Sequence, residues 1–305
     1  MRLRMGTASA AVVALAFVLA GCGSNVAGPV ISQDGEPAQV TRAIDGALAL
    51  VYDDLSGTEQ GTPAAASASR GAEVATAIHP LTFWRTIERE RRTFDFAFAD
   101  TDTAGRPTLA LVTIHRHLRG TFNIVTGSQD DPAQAERLIR KPLDDWWTRK
   151  VLLRRVPSDD VSRGLWRVAA VSGVDIATAE GTTHIVSLRV RTSSRDTTIT
   201  DPLALIRLRS ALRFVPDDTV HLTVTTGRSD DIVILHLADR RFHFHDNGDN
   251  TYSVSWVAGG DLAWRHLGVD AMSHGTLFDD VERYDSNRWR IPFLIMESPD
   301  RDYYP

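Results

Sequence analysis

Histidines two residues apart on an extended strand point to one face, and this chain has that spacing at His115 and His117 and again at His243 and His245. Two imidazoles so placed could hold a metal, and Asp246 could add an oxygen to the second pair. The same spacing arises where solvent-facing histidines flank buried residues, and Phe242 and Phe244 match that reading. The expectation is therefore no metal, with His243, His245, His115 and His117 as the residues to inspect. The run Asp246-Asn247-Gly248-Asp249-Asn250 is oxygen-rich, but it lacks the ligand spacing and closing Glu of an EF-hand and reads as a turn. Seven tryptophans include the pair Trp146-Trp147, next to Asp144-Asp145. Exposed indoles beside carboxylates can form a platform for sugar, whereas buried ones fill a core. Strand neighbours face opposite ways, so only one of Trp146 and Trp147 need be exposed. The spacings offer no catalytic residue: G-x-S-x-G, H-E-x-x-H, phosphate-loop and G-x-G-x-x-G patterns are absent. The reading leans against an enzyme and names no cofactor.

The elements that would position these residues are strands. Phe94, Phe96 and Phe98 alternate with Asp95, Ala97 and Ala99, the period of a half-buried strand, and 101–105 turns the chain. Strands are expected over 109–117, which carries His115 and His117, over 121–125 after Gly120, and over 150–156, 165–172, 185–191 and 197–200. Between them, Asp131 to Arg140 predicts a short helix, because Asp-Pro followed by Ala and Glu is a good helix start. The second half alternates more regularly, with strands expected over 219–225, 232–237, 241–245, 251–257, 266–272 and 289–295. Asn247-Gly248 is expected at a hairpin tip. Asp-Asp pairs recur where turns are expected, since Asp accepts hydrogen bonds from nearby amides. The mixed runs Arg89-Glu90-Arg91-Arg92 and Arg149 to Arg155 read as charged strand edges; contact with anionic lipid is the second reading.

The chain has 305 residues, 43% hydrophobic and 24% charged, which suits a globular protein of two domains. A formal net charge of −5 argues against nucleic acid as a partner. Its single cysteine, Cys22, excludes an internal disulfide. Basic Arg2 and Arg4 precede an apolar run, Ala8 to Ala20, too short to span a bilayer. That run ends in Leu19-Ala20-Gly21-Cys22, which resembles the lipobox of bacterial lipoproteins. The resemblance implies diacylglyceryl transfer to the Cys22 thiol, cleavage before it, and a membrane as partner through that lipid. Loss of Arg2 and Arg4 with the signal would take the net charge from −5 to −7. Gly23 stands where the Asp of the inner-membrane retention rule would sit, so the outer membrane is expected; periplasmic and surface faces stay open.

The expected fold class is mainly β, with two β-rich domains behind a signal and a flexible tether. The signal covers 1–21 and the tether 22–79, with a short helix at 40–55 where Val40, Ile44, Leu48 and Val51 recur and Gly46 weakens it. A β-rich domain follows at 80–201, then a sandwich at 202–298 and a tail at 299–305, with Asp201-Pro202 as the seam. The hairpin His243–Trp256 and the segment His266–Gly275 together resemble late strands of bacterial immunoglobulin-like and fibronectin-type-III-like domains. That likeness, over 205–296, implies an antiparallel sandwich and no activity. The functional expectation is an envelope lipoprotein that binds a protein or polysaccharide partner through β surfaces; a carbohydrate-binding or carbohydrate-processing accessory protein is the alternative.

Overall fold

The computed structural model describes residues 35–51, 60–61, 77–127, 136–156, 166–237 and 240–297. The lipobox and Cys22 lie outside the described residues. The described residues all fall in one compact unit, mainly β and almost wholly antiparallel.

The chain enters through helix α1 (Glu36–Asp45). Pro37 sits in its first turn, where the missing N–H costs nothing. Val40 and Ile44, one turn apart, are fully buried, so the helix belongs to the core. The helix expected over 40–55 thus begins earlier and breaks at Gly46, after which α2 (Leu48–Val51) adds one turn. Residues 52–55 are outside the described residues.

Strand β1 (Gln60–Gly61) is short, and three long strands follow: β2 (Pro80–Thr101), β3 (Pro107–Thr126) and β4 (Arg137–Arg155). Then come β5 (Trp166–Thr178), β6 (Ile185–Arg191), β7 (Asp196–Ile199), β8 (Ile206–Arg207) and β9 (Leu212–Phe214). The remainder is β10 (Thr219–Thr226), β11 (Ile232–Leu237), β12 (Arg240–His243), β13 (His245–Asp246), β14 (Thr251–Val257), β15 (Trp264–Met272), α3 (His274–Phe278) and β16 (Ser286–Ile295). One open sheet runs β1-β2-β3-β4-β5-β16-β15-β11-β12, with β8 added at β5 and β9 parallel to β16; a second runs β13-β14-β10-β6-β7.

Two cores use opposite faces of the large sheet. On one face, Val112, Ile114, Phe122, Trp147, Val151, Val174 and Ile176 pack with Val40 and Ile44 of α1. On the other, Leu235, Val269, Trp289, Ile291 and Phe293 meet Leu188, Leu222, Val224 and Trp256 of the second sheet. The large sheet crosses the seam expected at Asp201-Pro202, because β5 pairs with β16 from Val174 opposite Arg290 to Ala177 opposite Asn287. The second sheet likewise joins β6 and β7, from before that point, to β10, β13 and β14.

Two local expectations change. Arg137–Arg140, expected as the end of a helix, is the start of β4; residues 131–135 lie outside the described residues. Pairing to β3 over 137–155 overrides helix propensity there. Gly120, read as a break, lies within β3. A Cβ at Gly120 would stand 1.9 Å from the Thr86 carbonyl oxygen, beside the irregularity of β2 between Ile87 and Arg89, so the strand continues because the residue lacks a side chain.

Candidate functional site

The long strands divide the sequence-derived candidates by face. Trp147 is buried on the helix side, with the Arg116 guanidinium 5.2 Å from its ring centroid. Trp146, its neighbour, is 47% exposed on the other face. His115 and His117 of β3 share that outer face with Trp146. The His117 ring stacks on Trp146, with centroids 4.1 Å apart and planes 5° from parallel. His117 Nε2 is 2.5 Å from Asp144 Oδ1, and Arg119 Nε donates to Asp144 Oδ2 at 3.1 Å. His115 is held separately, its Nε2 3.2 Å from Asp95 Oδ2 and its Nδ1 3.3 Å from the Thr148 hydroxyl. The result is a small polar platform: one indole face stacked, a carboxylate and a guanidinium at its rim. Aromatic faces with flanking hydrogen-bonding groups suit flat, hydroxylated or cationic ligands.

The second histidine pair is not brought together in this way. His243 ends β12 in the large sheet, whereas His245 opens β13 in the second sheet, and buried Phe244 marks the crossing between them. The expectation that both point from one strand face is corrected by this switch of sheets. Among the described residues, no group of three His, Cys, Asp or Glu side chains is placed to hold a metal ion. Asp246 instead accepts from Gly248 N at 2.7 Å, and Gly248 takes a φ of 89° at the hairpin tip.

A larger polar cluster, which the sequence did not single out, lies inside. Arg85 of β2 donates twice to Asp270 of β15, at 2.7 and 3.1 Å, and through Nε to the Tyr284 hydroxyl at 2.9 Å. The Tyr284 hydroxyl donates to Asp145 Oδ2 at 3.1 Å, and Arg288 Nη2 reaches the same oxygen at 2.6 Å. Thr178 donates to Asp145 Oδ1 at 3.1 Å, and His236 Nε2 lies 3.5 Å from Asp270 Oδ2. Arg85, Asp145, Asp270, His236, Tyr284 and Arg288 are each at most 4% exposed. Burial pushes the Asp270 carboxyl up, but Arg85, His236 and Arg288 more than reverse this and hold it well below the usual carboxylate range. Burial also pushes the Tyr284 phenol up to about 12, so it stays a donor. Beside this cluster, buried Arg149 binds the Ser172, Leu50 and Val51 carbonyls and lies 3.2 Å from His266 Nε2. Burial, then Arg149 and Arg290, keep His266 uncharged.

Although the cluster holds acid, base and hydroxyl groups, each is spent on a neighbour within the fold. Charges from β2, β4, β15 and β16 are paired across the sheet, which locks the long strands to the later ones. The Trp146 platform, by contrast, is open to solvent. No helix among the described residues is long and apolar enough to cross a membrane. No protein-family model, curated protein or solved structure matches the chain.

Proposed function

We propose that this protein is a lipid-anchored component of a bacterial envelope that works by binding rather than by catalysis. The Leu19-Ala20-Gly21-Cys22 motif behind a basic, apolar start supports attachment through lipid on Cys22, with the outer membrane as its site. The observation that carries the binding reading is the contrast between the two polar clusters. The buried acid, base and hydroxyl groups are paired with one another inside the fold, while the exposed cluster is an aromatic platform of Trp146 and His117 with one carboxylate and one guanidinium. The immunoglobulin-like or fibronectin-III-like reading of residues 202–298 belongs to the same proposal. It is supported by a core enclosed between two antiparallel sheets, although 185–199 contributes strands to that core as well. Lipid attachment is tested by expressing the full chain with Cys22→Ala and following it by membrane fractionation and lipid labelling. Loss of the label and release from membranes are expected; a variant that remains labelled and membrane-bound removes the reading.

Trp146 favours one ligand class over others, and so keeps the carbohydrate-binding alternative. A sugar ring can stack on an indole whose other neighbours, Asp144 and Arg119, are placed to hydrogen-bond its hydroxyls. Detergent-solubilised full chain should bind a subset of an envelope glycan array, and Trp146→Ala should lose that binding while retaining its melting temperature. Equal binding by both proteins ends the glycan reading and leaves the anchor reading untouched.

A further inference from the structure

Strand β2 is the edge of the large sheet over most of its length. On its inner side it pairs with β3 from Pro80 to Thr101, but on its outer side β1 covers only Phe83 and Trp84. Among the described residues no strand pairs with the outer edge of 88–101. Exposed edges of this length are ordinarily blunted by charge. Here Glu88, Arg89, Glu90, Arg91 and Arg92 blunt the first part, yet Thr93-Phe94-Asp95-Phe96-Ala97-Phe98-Ala99 carries a single charge. On the helix-side face the three phenylalanines form a ladder, with successive ring centroids 6.0 and 6.2 Å apart, and Phe98 also meets Trp166 at 6.2 Å. Phe94 and Phe96 are only half-buried and Phe98 is 37% exposed. Among the described residues the ladder is covered on one side only.

The order of residues on that face identifies what completes it. In sequence, every second position gives Arg92, Phe94, Phe96, Phe98, Asp100: a cation, three aromatics and, just past the ladder where the backbone turns to a φ of 48°, an exposed anion. Such a string is complementary to itself run backwards. We propose that two copies of this chain associate through their β2 edges, antiparallel about a two-fold axis at Phe96. Phe96 then faces Phe96, Phe94 faces the second copy's Phe98, and Arg92 faces the second copy's Asp100 at both ends. Within its own chain the Arg92 guanidinium lies 4.9 Å from the Phe94 ring centroid and 4.0 Å from Asp45, and an exposed ion pair of that length contributes little. On the opposite face Asp95 meets Ala97, Thr93 meets Ala99 and Arg91 meets Thr101, so no like charges oppose one another. A shift of one residue towards the N-terminus would set Asp95 against Asp95. A shift of two, to a Phe94 axis, would set Arg92 against Phe96 and forfeit both ion pairs. Asp100, at a φ of 48°, marks where the extended run ends. Isologous pairing of this kind closes the edge and stops at two copies, which separates it from open-ended aggregation.

The test uses the full chain in detergent. Sedimentation should show a dimer for the natural sequence. Arg92→Asp and Asp100→Arg each put like charges at both ends of the paired edges and should weaken dimerisation at least about tenfold. An equimolar mixture of the two variants should restore the dimer, because the two acidic ends of one variant then meet the two basic ends of the other; a misfolded variant would give no such rescue. Residues directly opposite across an antiparallel pair have Cα atoms about 4.5–5.5 Å apart, within disulfide reach. Phe96→Cys should accordingly cross-link two copies on oxidation, whereas Thr93→Cys and the parent chain, with Cys22 alone, should not. A monomeric natural chain, a mixture no better than its components, or cross-linking at Thr93→Cys in place of Phe96→Cys overturns the proposal.

Discussion

Asp270 is surrounded by Arg85, His236 and, further off, Arg288, so removing its charge leaves buried Arg85 without its main partner. Breaking one side of a buried pair costs about 3–5 kcal/mol, more than the pair contributes over an apolar replacement. Asp270→Asn should therefore lower stability in urea unfolding by about that amount. The double replacement Arg85→Leu/Asp270→Leu should cost less than the sum of its singles; strict additivity would show that the two are not energetically coupled. Asp231 presents the opposite case. It is 3% exposed, both of its carboxylate oxygens lack a hydrogen-bond partner among the described residues, and the nearby Thr226 hydroxyl donates to the Arg228 carbonyl instead. Burial pushes its carboxyl up to about 6. The folded state then binds an additional proton between the unfolded value near 3.8 and about 6, so this group's contribution to stability falls as pH rises through that window. Asp231→Asn should flatten the melting temperature between pH 4 and 6 and raise stability at pH 7 by about 1–3 kcal/mol. An unchanged pH profile would place the titration elsewhere.

At the scale of elements, β3 depends on its glycine. Gly120 lets the Thr86 carbonyl approach to a point that any Cβ would occupy, so Gly120→Val must push β2 and β3 apart within their long pairing. A loss of at least about 2 kcal/mol in chemical unfolding is expected. Hydrogen exchange should speed up on both sides of 86 and 120, and a loss confined to one strand would contradict this account. The same strands explain what the sequence discloses. Phe94, Phe96 and Phe98 follow a clean period of two, and that alternation is enough to place them on one face. The inward row of β4 does not: Ile139, Lys141, Leu143, Asp145, Trp147, Arg149 and Val151 mix apolar with charged residues. That mixture hides the strand and lets Asp-Pro-Ala dominate as a helix signal. Asp270 is hidden differently. Leu267, Val269 and Ala271 mark one buried face of β15, and a sheet buried on one side would leave Asp270 in water. Here the second face is covered too, by α3, the Tyr284 segment and the long strands, so Asp270 becomes the centre of an ion cluster. Partners such as Arg85, 185 residues away along the chain, carry no local signal.

For the whole molecule, the decisive contacts cross the point where a seam between two domains is expected. β5 pairs with β16, β6 pairs with β10, and Arg85 and Asp145 from the first part are satisfied by Asp270, Tyr284 and Arg288 from the second. Alternation alone reveals strands but not which ones pair over long separations, and Asp201-Pro202 carries the turn chemistry of a boundary without separating the cores. Neither part would keep its charges fully paired alone: a fragment ending near 201 would hold Arg85 without Asp270, and Asp145 without Arg288 and Tyr284, and one starting near 202 would leave Asp270 with His236 but without Arg85, and Arg288 without Asp145. A buried charge without a partner costs several kcal/mol, a large share of a typical domain's total stability of about 5–15 kcal/mol. The full chain should consequently melt in one cooperative transition, with calorimetric and van't Hoff enthalpies in agreement. Asp270→Asn should shift that transition as a whole rather than split it. Two resolved transitions, with only the later one moved by the substitution, would mean that the two parts fold separately and that the ion cluster merely joins them.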